Sequence, residues 1–170
     1  MISFRAALGC ALIATAAACG GTSGNDTAPK DAQAPAAAPA STPASADAPL
    51  VVVYKDPSCG CCKQWVEHMR QNGFRVEAHD TSGVDGIKDG TGVPAGARSC
   101  HTGLVGGYAI EGHVPAEAVR RLLREHPADV AGLAVPGMVT GSPGMEGPNP
   151  QHYDVVAFTK DGRTSVYEKY

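Results

Sequence analysis

Three of the chain's six cysteines fall within four positions, in the stretch Ser58-Cys59-Gly60-Cys61-Cys62. An unbroken apolar run, Leu50-Val51-Val52-Val53-Tyr54, precedes it. After it, Cys62, Trp65, Val66 and Met69 recur at the i, i+3, i+4, i+7 spacing of one helix face. The run predicts a buried strand and the periodic segment an amphipathic helix over residues 62–71, which places the cysteines on the strand-to-helix turn. A helix N-terminus offers unpaired N–H groups and a positive dipole end, so a thiol there gives up its proton more readily. A thiolate is both a nucleophile and a soft metal ligand. The stretch is therefore a redox dithiol, a soft-metal site, or both.

Each reading makes different use of the three sulfurs. Cys59 and Cys62 have the spacing of an attacking and a resolving thiol, the pair a thioredoxin-type redox centre needs. Cys61 is surplus to that pair, and a vicinal Cys61–Cys62 disulfide would close only a strained ring. The extra thiol makes better sense as a metal ligand, one able to bridge two ions. The plain alternative is a structural disulfide of an exported protein, although a bond so short in sequence constrains little of the unfolded chain.

Length and charge narrow the frame. At 170 residues with a formal charge of -3, the chain carries no basic cluster beyond Arg120, Arg121 and Arg124, which read as a solvated helix face. Nucleic acid is not an expected partner. Residues 1–18 have the plan of an export signal: Arg5, an apolar run too short to span a bilayer, then Ala16-Ala17-Ala18 before Cys19. Those small residues match a lipoprotein signal, with Cys19 lipidated as the first mature residue; Ala16 stands where leucine is usual. Cleavage as an ordinary signal peptide is the alternative. Residues 19–49 are Ala, Pro, Ser, Thr and Gly with scattered charges and nothing to bury, which predicts a disordered tether behind the anchor. The expected location is the bacterial envelope, facing the periplasm, with the membrane reached through the lipid alone.

The folded domain is expected over residues 50–170, enough for one modest core. Strands are predicted over 50–54 and 74–79, a weak helix over 84–88, and a hairpin of 100–105 with 108–114 about Gly106-Gly107. Pro115 then opens a helix with a buried stripe of Ala118, Val119, Leu122 and Leu123. A glycine- and proline-rich segment over 134–145, holding Met138 and Met145, reads as a long functional loop, and a C-terminal hairpin turns at Asp161-Gly162. This order predicts an α/β, thioredoxin-like single domain, a central mixed sheet flanked by helices. In that fold the loop entering the third strand faces the cysteine turn and usually carries a cis-proline. Here that loop reads Arg98-Ser99-Cys100-His101-Thr102, so Cys100 and His101 are expected beside Cys59 and Cys62.

The candidate ligands are thus Cys59, Cys61, Cys62, Cys100, His101, His113, Met138 and Met145. Each of the last five also has an ordinary reading, as a buried small residue, a packing imidazole or a gap-filling thioether. His68, expected on the exposed side of the first helix, and His79, His126 and His152 are left out. Thiolate, thioether and imidazole together favour Cu(I), with Zn(II) next and hard ions excluded. An iron–sulfur centre on Cys59, Cys61, Cys62 and Cys100 would leave the methionine loop without a role.

Several blocks in order, namely Cys59-Gly60-Cys61-Cys62-Lys63, Ser99-Cys100-His101-Thr102, Glu111-Gly112-His113-Val114-Pro115, Gly132-Leu133-Ala134-Val135-Pro136-Gly137-Met138 and Gly141-Ser142-Pro143-Gly144-Met145-Glu146, resemble the CopG-type bacterial copper-resistance proteins. The resemblance spans essentially all of residues 50–170. It implies an envelope thioredoxin-like domain that holds copper at a cysteine-bridged multinuclear cluster, with Cys59, Cys61 and Cys62 as cluster cysteines and Cu(I)/Cu(II) interconversion as its role. Val139-Thr140 departs from the family pattern, which has a proline after the methionine. Two functions stay open: copper handling, alone or with other envelope copper proteins, and thiol–disulfide exchange through Cys59 and Cys62. Both use the same residues, so whether the protein is an enzyme is not decided by sequence.

Overall fold

The computed structural model describes residues 45–170. The expected export signal, Cys19 and most of the expected tether lie outside the described residues. Residues 45–49 form an exposed turn, with the Arg75 guanidinium donating to Ala46 O and the Arg75 amide to Pro49 O. The described residues thus include a few that precede residue 50.

The first strand, β1 (Leu50–Lys55), alternates between its two faces, with Val51 and Val53 fully buried. Helix α1 (Gly60–Gln71) starts two residues earlier than its apolar period, because Cys59 is its N-cap and accepts from the Cys62 amide. Its buried face is the predicted one, Cys62, Trp65, Val66 and Met69. Asn72 and Gly73 end it, Gly73 with positive φ. Strand β2 (Arg75–Asp80) runs parallel to β1 and is an exposed edge strand. Helix α2 (Val84–Gly90) and a 3-10 turn (Ala95–Ala97) lead to β3 (His101–Val105), antiparallel to β1. Strand β4 (Tyr108–Glu111) completes the hairpin, three residues shorter than expected. Pro115 caps helix α3 (Ala116–Glu125) from outside, and Ala116 joins Ala118, Val119 and Leu122 in the buried face while Leu123 is half-buried.

One strand was not expected. Residues 132–134, β5 (Gly132–Ala134), pair parallel to β4 and are wholly buried. Three residues are too few to show a period, and their flanking glycine and proline disguise them. The remainder of that segment is the expected loop. Strands β6 (Asp154–Phe158) and β7 (Thr164–Lys169) form the C-terminal hairpin, so seven strands make one mixed sheet in the order β2-β1-β3-β4-β5-β6-β7.

The core lies on both faces of this sheet. The larger cluster joins α1 and α3 (Trp65, Val66, Met69, Val119, Leu122) to Val51, Val53, Ile110, Leu133 and Val155. A smaller cluster of Val93, Ala97, Ala109, Ala134 and Phe158 sits apart. Trp65 is the largest fully buried side chain of the fold, and its indole N–H donates to Val114 O at 2.8 Å. It fits because β3 has Gly103 beneath it, where a Cβ would stand 3.4 Å from the ring. Among the described residues, no helix is long and apolar enough to cross a membrane.

The loop over 135–150 is held on α1 by backbone approach. Gly144 has φ +82°, and a Cβ there would stand 2.7 Å from Trp65 N and 2.9 Å from Cys61 O. Gly144→Ala must therefore strain its own backbone, at about 1–2 kcal/mol, and also push the loop off the first turn of α1. We expect a fall in melting temperature of roughly 5–10 °C, read by circular dichroism. An unchanged melting temperature would show that the loop is not held there.

Candidate metal centre

The C-terminal end of β1, the N-terminus of β3 and the C-terminal end of β4 meet at one end of the sheet, beside the cysteine turn that opens α1. The β1–β3 register sets Lys55 opposite His101, and the β3–β4 register sets Thr102 opposite Glu111. Cys59 and Cys62 form a disulfide, with Cα atoms 5.4 Å apart. The free Cys61 sulfur lies 3.5 Å from that of Cys59, and the free Cys100 sulfur 3.4 Å from that of Cys62. Cys100 Sγ is also 3.1 Å from His113 Nε2 and 3.3 Å from His101 Nδ1. Two overlapping donor groups result, Cys59-Cys61-Cys62-Cys100 and Cys100-His101-His113, with ligand atoms within 4.8 Å of one another in each. Cys100 belongs to both.

The two histidines are prepared to be ligands. His113 Nδ1 lies 2.8 Å from Pro143 O, a carbonyl that can only accept, so Nδ1 carries the proton and Nε2 turns a lone pair to Cys100. His101 is fully buried, and its Nε2 has no hydrogen-bond partner. Burial lowers the pKa of both rings, and for His101 the neighbouring His113, Lys88 and Lys55 lower it further. Both imidazoles are thus neutral at physiological pH, the form that binds metal. Burial pushes the Cys100 thiol up to about 11, and Cys61 adds to the shift. Cys100 is therefore a thiol at neutral pH in the metal-free protein.

The methionines stand further out. Met138 is 49% exposed, and Ser99 Oγ lies 3.9 Å from both its sulfur and that of Cys100. The Gly137 amide donates to Arg98 O and Ser99 Oγ donates to Gly137 O, so the loop carrying Met138 is stapled to the segment entering β3. Met145 is half-buried and follows Gly144, whose backbone packs on α1. Of the expected set, four cysteines and two histidines converge, and the two methionines sit on the loop that borders them.

Sequence reasoning missed what holds Cys100 and His101 in place. Glu111, fully buried, accepts from the Ser99 amide at 2.6 Å and from Thr102 Oγ1 at 2.7 Å, gripping the chain on both sides of the pair. Lys88, from α2, donates to Glu111 at 2.6 Å and to Thr102 Oγ1 at 3.1 Å. A lone glutamate ending an otherwise apolar strand was the available signal for Glu111; nothing in the glycine-broken α2 marked Lys88 as buried. His68 corrects a second expectation. It is not on the exposed side of α1: it is half-buried, and its Nε2 accepts from the Ala116 amide at 3.2 Å, capping α3. Burial lowers its pKa, which keeps that lone pair free.

The donor set fits a soft ion. With the Cys59–Cys62 disulfide reduced, four thiol sulfurs and two neutral imidazoles suit Cu(I), and no carboxylate belongs to either group. Two expectations follow. Lys88→Met leaves Glu111 as an unpaired buried charge and should cost about 3–5 kcal/mol in urea unfolding, while adding Glu111→Gln should recover more than half of the loss; a double variant no more stable than Lys88→Met would contradict the network. A copper ion taken up by Cys100 would also have to displace its proton. Apparent affinity should therefore rise by about tenfold per pH unit for each thiol proton released, over roughly pH 6 to 9, measured by chelator competition. A flat profile would mean that Cys100 does not bind as thiolate.

Comparison with known proteins agrees with the site. A family described as a protein of unknown function, DUF411, matches residues 97–145, the segment from the loop before β3 through the methionine loop. No curated protein matches the chain. Two solved structures of a copper resistance protein, copG, match closely. Its form 2 has 42% identity and a TM-score of 0.69 over 73% of this chain and 99% of that one. Its form 1 has 43% identity and a TM-score of 0.67 over 71% and 96%. At that identity across nearly the whole of the solved chains, the protein belongs to the CopG copper-resistance family.

Proposed function

We propose that the protein handles copper for resistance, holding Cu(I) on the thiolates of Cys59, Cys61, Cys62 and Cys100 with His113 and His101 completing the shell. The convergence of sulfurs from α1 and β3 within bonding reach of one ion carries this reading. Once a two-electron donor reduces the Cys59–Cys62 disulfide, four thiolates, with Cys100 shared by both donor groups, favour bridged copper ions over a single one, and the imidazoles give a Cu(II) state nitrogen donors. Met138 and Met145 would guard access from the loop. Copper, when bound, supplies the one-electron couple. The chain supplies thiolates, two neutral imidazoles and a buried network that fixes their spacing. The sheet order β2-β1-β3-β4, with β2 parallel and β3 antiparallel to β1, supports a thioredoxin-like core extended by three strands. Residues 1–49 support delivery to the envelope and attachment through a lipid on Cys19, with a periplasm-facing soluble domain as the alternative.

A second reading rests on the Cys59–Cys62 disulfide itself, which a thiol–disulfide oxidoreductase would use on exported proteins. Cys100 and both imidazoles are surplus to that chemistry, and Cys100 occupies the loop position where such enzymes place a proline. The two separate on Cys61. With the reduced full-length protein under nitrogen, Cu(I) titrated against a competing chelator should exceed one ion per chain. Cys61→Ser should lower that capacity while leaving reduction of an insulin-like substrate near its original rate. Full copper capacity in Cys61→Ser would remove the bridging role of that sulfur. Weak copper binding in the parent, with ready insulin reduction, would favour the oxidoreductase.

A further inference from the structure

Trp65, the chain's one tryptophan, touches both halves of the metal centre. It follows Cys62 by one turn on the buried face of α1. Its ring centroid lies 4.6 Å from that of His101, with the two planes inclined at 46°. The His101 ring in turn meets His113 edge to face at 5.0 Å. Through its indole N–H, Trp65 also donates to Val114 O at 2.8 Å, and Val114 directly follows His113. We propose that Trp65 is the positioning residue of the two imidazoles, holding His101 and His113 at a fixed distance from the cysteine helix. The inference rests on the proposed copper binding and deepens it.

The hold on His101 is packing. His101 is fully buried and its Nε2 has no hydrogen-bond partner, so no polar contact at that nitrogen fixes the ring. The indole and the His113 ring bound it instead. Gly103, two residues on from His101 and on the same face of β3, lets the indole lie across the strand. A Cβ there would stand 3.4 Å from the indole and 3.2 Å from Val51.

The hold on His113 is a hydrogen bond. Val114 N donates to Gly112 O at 3.0 Å, closing a tight turn with His113 at its apex. Trp65 pins the far end of that turn, while Pro143 O holds the ring through Nδ1. Gly144, next to Pro143, packs its backbone on Trp65 N, where a Cβ would stand at 2.7 Å. Both restraints on His113 thus converge on one residue of α1. A phenylalanine would fill most of the same space but has no N–H for Val114 O, which belongs to a fully buried residue. The sulfurs are placed by the α1 turn and the β3 register, so the loss should fall on ions that need nitrogen.

Two ions separate the donors. Silver(I) is soft and takes sulfur, whereas cobalt(II) accepts nitrogen and sulfur together. Silver(I) would be titrated into the reduced full-length protein. Cobalt(II) would be titrated into the form with the Cys59–Cys62 disulfide, where Cys100, His101 and His113 remain as donors. Trp65→Phe should match the parent for silver(I) and bind cobalt(II) about tenfold or more weakly, with altered d–d absorption. A silver(I) loss of the same size, or unchanged cobalt(II) binding, would overturn the positioning role. A parent that takes silver(I) but not cobalt(II) would overturn it and leave sulfur-bound copper standing. A parent that takes neither would remove the copper reading and the inference with it. The metal-free parent supplies a test that needs no variant. In its NMR spectrum the His101 ring protons should show nuclear Overhauser contacts to the indole and a ring-current shift. A His101 ring with the shifts of an unfolded chain would overturn the proposal, even where Trp65→Phe fails to fold.

Discussion

The antiparallel pairing of β3 with β1 is the constraint on which the centre depends. It sets His101 opposite Lys55, at the strand end that leads into the cysteine turn. Residues about forty apart in sequence thereby come into contact, and Cys100, one residue before β3, meets the sulfur of Cys62. The pairing cannot slip by one residue. A slip would turn Val51 and Val53 out of the larger core and carry Gly103 away from the Trp65 ring it accommodates. The apolar core thus sets the register, and the register sets the ligands.

Charge around the centre is arranged to leave a metal cation as the partner for thiolate. Two buried lysines lie close to His101, yet both are committed: Lys55 to Asp80, and Lys88 to Glu111. Cys100 has no fixed cation to lower its pKa, and burial raises it. At the start of α1 the Cys59 sulfur, bonded to Cys62, accepts the Cys62 amide. One centre therefore holds a helix-end sulfur bonded to Cys62 and a strand thiol that burial keeps protonated. The raised Cys100 pKa gives metal capture by that thiol its pH dependence. Glu111 serves that capture, because it fixes the chain on either side of Cys100 and His101.

Much of this was legible from sequence, and the rest was hidden for physical reasons. The α1 face was readable because four large apolar residues share one helical period. The cysteine turn was readable because a β-branched run and a helix flank it, and the nearness of Cys100 and His101 followed from the expected strand order. Strand β5 was hidden because it spans only three residues and takes its stability from burial between β4 and β6. Lys88 was hidden because the partners that justify burying an ammonium, Thr102 and Glu111, come from β3 and β4. His68 was misplaced since the first turn of α3, which it caps, is far away in sequence. Local pattern records what an element buries; a cross-element hydrogen bond leaves no such period.

The central claim is that copper is held by sulfur from both halves of the site at once. X-ray absorption at the copper edge of the Cu(I)-loaded protein, beside its Cys100→Ser variant, tests it most directly. The account predicts a first shell dominated by sulfur in the parent, and a measurable loss of sulfur when Cys100 is replaced. A shell of nitrogen and oxygen, or a sulfur shell indifferent to Cys100, would contradict it.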